Sequence, residues 1–430
     1  MGRWILTLLV LALVALPASG KRPRRSKVEA PSFTVIELDD GMTLVHVPRE
    51  GAGRASLRYA VRAGGFDDPE KRGGLAHLLE HLIFHGSYDI PEGEIFEEAR
   101  REGAYVNAFT SSSWTIYALD APKDDFLPLL RLYVRMITNP ALRLADLERE
   151  RKVVDAEHIY HGVKSLLWAF DQQVFPSSNR GQTIIGTKPS RGNVTLDDLL
   201  AFYERHYVPS NTVVVVVGDL PLAEARRAVE RSVLQPPEPP RHDEDRPPAP
   251  NVPSSSRILA WPTAVAVAYH LPDVEQGVCS DIARLLDLRL NERVRIKEPL
   301  ASQAVVVCHR TRGTSFVVGV GLTRTLEGSR LPDLMKKTFL ESKRVPPSSK
   351  ERRLIKSRFA GELARLTNDP GELAMALADE AASREGDVEE RLTALFRAPK
   401  LDWKAMRPVL EDSFVEDRHV LVQFSPFEHD

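Results

Sequence analysis

A proline-rich segment at residues 235–256, QPPEPPRHDEDRPPAPNVPSSS, divides this chain of 430 residues. Proline fixes φ and removes a backbone donor, and the charged residues between the prolines have nothing apolar to bury, so we expect an extended linker there. At roughly 100–200 residues per domain, the length allows two or three domains. We therefore predict one domain at residues 31–234 and a second at residues 257–430.

Both parts combine the alternation typical of strands with the longer period typical of helices. In the first part the pattern predicts strands at 34–47, 55–63 and 212–217, and helices at 74–84, 92–102, 125–137, 144–160 and 196–206. In the second part it predicts a strand at 258–269, a helix at 280–296, a hairpin of 302–309 and 315–322, and helices at 331–343 and 351–366. Strands followed by helices indicate α+β domains. The similar order of elements in the two parts hints at an internal duplication.

The N-terminal residues indicate a targeting segment that is not part of the folded protein. Arg3 precedes an apolar run at residues 4–16, which has signal-peptide length and is short for a membrane span, and PASG at 17–20 supplies small residues for cleavage. We expect residues 1–20 to be a signal peptide and the protein to be exported, to the periplasm or outside the cell. The basic tail at 21–30 opposes translocation, so an uncleaved N-terminal membrane anchor is the alternative.

Charge and cysteine content exclude other classes. The formal net charge of -2 gives no reason to expect a nucleic-acid partner. Cys279 and Cys308 are too few for a disulfide framework or a structural zinc ribbon. Either one disulfide in an oxidising compartment or two buried thiols fits the sequence.

The chemistry concentrates in GGLAHLLEHLIF, residues 73–84. His77 and His81 are one helical turn apart, about 40° around the axis, so two imidazoles can reach a single metal ion. Glu80 lies beside that face, where it can meet a metal-bound water without being a ligand. A catalytic zinc site needs three protein ligands, an open position and a base. The order His-x-x-Glu-His is the inverzincin signature, and an ordinary helix with a hydrated face or core histidines is the competing interpretation.

A second predicted helix offers the third ligand. Glu150 and Glu157 are seven residues apart and lie within about 20° of each other on one face. His158 and His161 are alternatives by residue type, and so charged a helix also fits a solvated surface with internal ion pairs. The residues alone leave the choice among Glu157, His158 and His161 open.

Four segments in order resemble the pitrilysin-type inverzincin peptidases, the group that includes mitochondrial processing peptidase and its bacterial relatives. They are GGLAHLLEHLIFHGS, GAYVNAFTSSSWTIYAL at 103–119, ERKVVDAEHI, and FYERHYVPSNTVVVVVGDL at 202–220. The likeness is strong over residues 30–235 and weak over 255–430. It implies two similar domains, each a mainly antiparallel sheet covered by helices, that form half of a clamshell.

This resemblance implies a zinc metallopeptidase that hydrolyses extended or unfolded peptides. It makes His77, His81 and Glu157 the Zn²⁺ ligands, since Glu157 stands 76 positions after His81 as the family's third ligand does. Glu80 becomes the general base, and Glu150 a carboxylate that steadies a ligand histidine.

The resemblance also implies a surface for the substrate. Asn107 and Ala108 would lie on an exposed edge strand that pairs with the substrate backbone, with a pocket near Phe109 that reads side chains. An ordinary asparagine at a turn or strand end is the other interpretation of Asn107.

The second half departs from the family pattern. Members that complete their own site carry an arginine and a tyrosine there. Arg295 can take the place of the arginine, but Ser302 stands at the tyrosine position and has no phenol to offer the developing oxyanion. The departure predicts a paralogous partner subunit that supplies the Arg/Tyr pair, with a homodimer as the alternative.

Two other functions compete with a peptidase. A catalytically silent scaffold or assembly subunit of the same fold is one, although such relatives commonly lose a ligand or the glutamate, and all four residues are present here. A zinc hydrolase that acts on bonds other than peptide bonds is the second.

Overall fold

Two mixed sheets form the framework of the computed structural model, which describes residues 30–159, 170, 173–175, 184–232, 250, 252–259, 263–271, 274–311, 314–323, 329–383 and 386–425. The first sheet contains β1 (Thr34–Glu37), β2 (Thr43–Pro48), β3 (Arg54–Val61), β4 (Tyr105–Thr110), β5 (Thr115–Pro122) and β6 (Thr212–Gly218). The second contains β7 (Ser254–Leu259), β8 (Thr263–Leu271), β9 (Gln303–Thr311), β10 (Thr314–Thr323) and β11 (Val420–Ser425).

The two sheets share one topology. Their strand orders are β1-β2-β6-β3-β5-β4 and β7-β11-β8-β10-β9, so that from β2 onward each strand of the first sheet has a counterpart in the second. β2 runs parallel to β6 and β7 parallel to β11, and the other pairs are antiparallel. The predicted α+β class with two similar, mainly antiparallel sheets is confirmed. The shared order is the topology expected of an internal duplication.

Helices cover both sheets. In the first half they are α1 (Leu75–Ile83), α2 (Glu94–Arg101), α3 (Lys123–Thr138), α4 (Leu144–Ile159), α5 (Lys188–Gly192), α6 (Leu196–His206) and α7 (Leu222–Glu230). In the second half they are α8 (Gln276–Asn291), α9 (Leu331–Ser342), α10 (Ser349–Asn368), α11 (Pro370–Ala382), α12 (Val388–Leu395) and α13 (Trp403–Ser413). Short 3₁₀ turns lie at Gly65–Asp67 and Pro209–Asn211, and a π-helical turn at Glu292–Lys297 follows α8.

Several predicted boundaries were wrong. The strand predicted at 34–47 is the hairpin of β1 and β2, because Asp40 and Gly41 form a turn in which the Asp40 carboxylate accepts from the Met42 amide at 3.0 Å. The strand predicted at 258–269 is likewise two strands, β7 and β8. The helix predicted at 280–296 begins earlier, at Gln276, and becomes π-helical after Asn291. Helices α11 to α13 and strand β11 were not predicted.

The two halves exchange helical segments. One face of the first sheet packs on helices of its own half, and α11 from the second half packs on the other face, where Leu377 contacts the cluster around Val213 and Val215. This double burial explains why β6 reads TVVVVVG without alternation. Phe170 and Phe175 of the first half pack in the same way against a face of the second sheet.

Parts of the predicted organisation lie outside the described residues. These are the predicted signal peptide and basic tail up to residue 29, and residues 235–249 and 251 of the linker. The last three linker residues, 254–256, begin β7. Within the described part of the chain, no helix has the length and apolarity needed to span a bilayer. Cys279 in α8 and Cys308 in β9 form a disulfide, which decides between the two alternatives for the cysteines.

Candidate metal centre

The start of α1 is fixed by close backbone packing. Gly74, at the N-cap, has a φ of 95°, and a Cβ there would lie 2.3 Å from the carbonyl oxygen of Ile185, so only glycine fits. The buried Asp68 carboxylate accepts from the amides of Gly74 at 2.7 Å and Ala76 at 2.8 Å. These bonds satisfy N–H groups that the first turn of a helix leaves unpaired.

Three potential metal ligands meet where α1 packs on α4. Nε2 of His77 lies 3.8 Å from Oε2 of Glu157, and Nε2 of His81 lies 3.5 Å from the same oxygen. One donor atom from each residue lies within 4.8 Å of the other two. In an ideal tetrahedral zinc site with bonds of about 2.0–2.1 Å, ligand atoms are roughly 3.3 Å apart. Two imidazoles and a carboxylate at these separations fit a zinc ion.

Glu80 lies beside these groups, on the same helix. It is buried, and the Thr110 hydroxyl donates to its Oε2 atom at 2.5 Å. Thr110 is the last residue of β4, so the strand orients the carboxylate. The negative charge of Glu80 also acts on His81, where it raises the pKa.

Glu150 joins two histidines. Nδ1 of His81 donates to its Oε2 atom at 2.8 Å, and Nε2 of His85 donates to its Oε1 atom at 2.9 Å. Burial alone would raise the pKa of Glu150, but these bonds outweigh it and lower that pKa to about 2. Burial alone would lower the pKa of His81, but the bonds to Glu150 and Glu157 and the nearby Glu80 raise it to about 10. The carboxylates therefore make this pair of helices strongly attractive to a cation.

A second cluster of potential metal ligands surrounds His85. His85, Glu92 and Asp146 also bring potential ligand atoms within 4.8 Å of one another. Here Nη2 of Arg149 donates to Glu92 at 3.0 Å and to Asp146 at 2.9 Å. The guanidinium takes the place a cation would occupy, so the cluster is an ion-pair network around His85.

The predicted substrate strand lies at the edge of its sheet. β4 ends the strand order and pairs with β5. The Tyr133 hydroxyl donates to the Asn107 carbonyl oxygen at 2.8 Å, and the Asn107 amide donates to the Tyr105 hydroxyl at 2.7 Å. The Ala108 side chain is buried and that of Phe109 is half-buried.

The remaining residues singled out from the sequence either make local hydrogen bonds in the second half or lie outside the described residues. Arg295 donates to Asn291 Oδ1 at 3.2 Å within its own helical segment, and the Ser302 hydroxyl donates to the Leu322 carbonyl oxygen at 3.1 Å. The side chain of His158 and the whole of His161 lie outside the described residues.

Three contributors to the site were missed from the sequence. His85 follows His81 by four residues, so helical periodicity places it on the ligand face, and that signal was available. Thr110 lies in the NAFT segment, but nothing local shows that it reaches Glu80. Asp68 caps α1 from outside the helix and has no local signal.

Two protein-family profiles match the chain. One is described as insulinase, peptidase family M16, and matches residues 45–175; the other is the peptidase M16 inactive domain and matches residues 193–358. Together they span more than half of the chain. The chain belongs to peptidase family M16.

Curated relatives of this M16 chain include zinc proteases and processing peptidases. Insulin-degrading enzyme-like 2 of Arabidopsis thaliana is 30% identical over 226 residues, which cover 50% of this chain and 22% of the relative. The probable zinc protease PqqL of Escherichia coli is 24% identical over 303 residues, 61% of this chain and 31% of the relative. The probable mitochondrial-processing peptidase subunit beta of Schizosaccharomyces pombe is 26% identical, with coverage of 47% and 45%. The match spans less than half of the length of each relative.

Solved structures share the fold of the M16 chain. A protease from Helicobacter pylori superposes with a TM-score of 0.78 at 19% identity and covers 92% of this chain and 100% of its own. Pitrilysin superposes with a TM-score of 0.75 at 19% identity and covers 94% of this chain and 46% of its own. At these identities the likeness shows the architecture.

Proposed function

We propose that this chain is a zinc-dependent endopeptidase that hydrolyses extended or unfolded peptides. The observation that carries the proposal is the convergence of His77, His81 and Glu157 within 4.8 Å beside the buried Glu80. Relatives named as zinc proteases support the choice of metal and of reaction.

In this proposal His77, His81 and Glu157 hold Zn²⁺. When bound, the ion supplies a Lewis acid that polarises a carbonyl group and lowers the pKa of a coordinated water. Glu150 fixes the ring of His81 through Nδ1, which leaves Nε2 directed at Glu157. The ligands are thus oriented before the metal arrives.

Glu80 moves the protons. Its carboxylate accepts a proton from the attacking water and delivers it to the departing amine. The hydrogen bond from Thr110 holds one carboxylate oxygen, so that the group keeps one orientation through both transfers. Burial keeps the carboxylate away from bulk water, which strengthens its interactions with the reacting atoms.

The substrate would add to the sheet as a further strand. β4 is an edge strand, and backbone pairing with Asn107 and Ala108 accepts any extended peptide. The surroundings of Phe109 would select among the side chains of the substrate. Arg295, which lies on the π-helical turn of the second half, is the further candidate for substrate contact.

A partner would complete the oxyanion site. Ser302 has no phenol, and its hydroxyl donates to Leu322. We therefore expect weak cleavage by the chain alone and stronger cleavage after co-expression with an Arg/Tyr-bearing paralogue, a homodimer being the alternative assembly. Full turnover by the isolated chain would refute the requirement for a partner.

Export is supported by the disulfide between Cys279 and Cys308 and by the structure of the periplasmic relative PqqL. We expect the mature protein to begin after residue 20, in the periplasm or outside the cell. N-terminal sequencing of protein from the native host separates this from the uncleaved anchor, which would retain residues 1–20.

The experiment is a digest of a library of unfolded peptides with Glu80→Gln as the control. The wild type, with its partner, should cleave peptides and stop when a chelator is added. Glu80→Gln should keep its zinc and lose cleavage by roughly 10²–10⁴-fold. A protein that holds no metal, and whose biological role survives Glu80→Gln, would instead be the scaffold of the same fold.

A further inference from the structure

A buried arginine lies beside the candidate metal centre and outside the proposed chemistry. Arg191, in the short helix α5, is 2% exposed. Its Nε atom donates to Asp155 Oδ1 at 3.1 Å, and its Nη2 atom donates to the same oxygen. Its Nη1 atom donates to the carbonyl oxygens of Ile185 at 2.9 Å and Gly186 at 2.8 Å. The guanidinium therefore ties α4 to the backbone at residues 185–186.

The same backbone is packed against the start of α1. A Cβ on Gly186 would lie 1.9 Å from the carbonyl oxygen of Gly73, so these two backbone segments are in direct contact. The Ser190 hydroxyl donates to that Gly73 oxygen at 2.7 Å. The segment from Ile185 to Arg191 thus contacts α4 at Asp155 and the two residues that lead into α1, Gly73 and its N-cap Gly74.

The attachment on α4 is two residues before Glu157, and the attachment at Gly73 is about one helical turn before His77. The two helices come from distant parts of the chain, and the hydrogen bond between Glu150 and His81 is a further link between them. A ligand set divided between two helices binds metal well only if the separation of the helices is fixed. We infer that Arg191 and Asp155 are positioning residues that set the distance between Glu157 and the histidine pair. This inference rests on the proposed function.

A second buried arginine provides a matched control. Arg58 is 4% exposed, pairs with Asp120 at 2.8 Å and donates to the Gly371 carbonyl oxygen at 2.9 Å. This pair joins the first sheet to α11, and among the described residues none of the hydrogen bonds of Arg58 reaches α1 or α4. Loss of either aspartate leaves a buried guanidinium short of its counter-charge, so Asp120→Asn and Asp155→Asn should both destabilise the fold.

The experiment compares zinc dissociation constants of the full chain, measured by competition with a chromophoric chelator. Asp155→Asn should bind zinc about tenfold or more weakly than the wild type, whereas Asp120→Asn should stay within about twofold of it. The visible spectrum of the Co²⁺ derivative should change in Asp155→Asn and not in Asp120→Asn, because a shifted Glu157 alters the ligand geometry. If Asp155→Asn does not fold, Arg191→Lys gives the same comparison, since an ammonium lacks the planar fork of donors.

Equal zinc affinity and an unchanged Co²⁺ spectrum in Asp155→Asn or Arg191→Lys would overturn the inference and reduce the pair to a support of the fold. A wild type that binds no zinc at the two histidines would instead refute the proposed function. The two failures are therefore distinguishable.

Discussion

Thr110 tests whether the orientation of Glu80 matters for chemistry. Thr110→Val removes the hydroxyl that donates to Glu80 and keeps the shape of the side chain. A hydrogen bond to a charged group is worth about 1.5–3 kcal/mol, so kcat should fall by roughly tenfold or more with zinc content unchanged. Thr110→Ser keeps the donor and should stay close to the wild type. Steady-state kinetics with metal analysis checks this, and unchanged kcat in Thr110→Val would contradict it.

His85 predicts a dependence of stability on pH in the metal-free protein. The hydrogen bond to Glu150 raises the pKa of His85 above the usual value for histidine despite burial, and Glu92 and Asp146 add to the effect. The folded state therefore binds the proton more tightly than the unfolded state. Its stabilisation is complete below the unfolded pKa and is lost as the pH rises through the raised value.

His85→Gln removes that titration. The thermal midpoint of the metal-free wild type should exceed that of His85→Gln at about pH 6, and the difference should shrink towards about pH 9. Thermal unfolding monitored by circular dichroism checks this at matched ionic strength. A difference that stays constant over this range would mean that His85 does not titrate against Glu150.

For single residues, the sequence predicts contacts between residues close in the chain well and contacts between distant residues poorly. His77, Glu80 and His81 lie on one helix, so its period places them together. The sequence leaves Glu157, His158 and His161 as alternative third ligands. The choice depends on how the two helices pack, which the local pattern does not show. The ion pair of Arg191 has no local signal, since Asp155 lies 36 residues away in the chain.

In the proposed function, substrate binding depends on β4. Along an edge strand, backbone groups alternate between those that face the neighbour and those that face outward, so a bound peptide should bond through alternate residues. N-methylation of a substrate residue whose N–H faces β4 should raise KM by about three- to tenfold, the cost of one hydrogen bond. Methylation of the next residue should have a smaller effect.

A series of peptides, each with one N-methyl group, checks this by its period of two. A uniform effect along the peptide would contradict strand addition and favour binding through side chains alone. Kinetics of Thr110→Val on the same series separates binding from chemistry, because that substitution should change kcat for every peptide.

Elements were predictable where their burial or capping leaves a clear pattern in the sequence. The helices at 144–159 and 196–206 follow clear signals, and Thr195 caps the latter by accepting from the Asp198 amide. Strand β6 also stands out, because burial on both faces makes it a run of valines. The turn at Asp40 and Gly41 was a readable signal that was missed, whereas the π-helical turn at Glu292–Lys297 has no marker in the sequence.

The whole molecule is held together by the exchange of segments between its halves. Val213, Val215 and Val217 of β6 face α11 of the second half, so the first half alone would expose an apolar sheet face. A fragment of residues 30–234 should therefore aggregate or melt without cooperativity. Co-expression with residues 252–430 should give a soluble complex. A monomeric 30–234 fragment with a cooperative transition would contradict this.

The sequence predicted two similar sheets and a linker between them, but not this exchange. The linker separates the sheets in sequence, and helix amphipathicity does not reveal which sheet a helix covers. Leu373 and Leu377 of α11 would suit either sheet by residue type. Which sheet α11 covers is determined only when the whole chain folds.

The central claim is that one metal ion is held by two histidines of α1 and one glutamate of α4. Its most direct test is anomalous diffraction from crystals of the zinc-loaded protein, recorded above and below the zinc absorption edge. The account predicts one difference peak bonded to His77 Nε2, His81 Nε2 and a carboxylate oxygen of Glu157. A peak elsewhere in the chain, or one that leaves Glu157 uncoordinated, would contradict it.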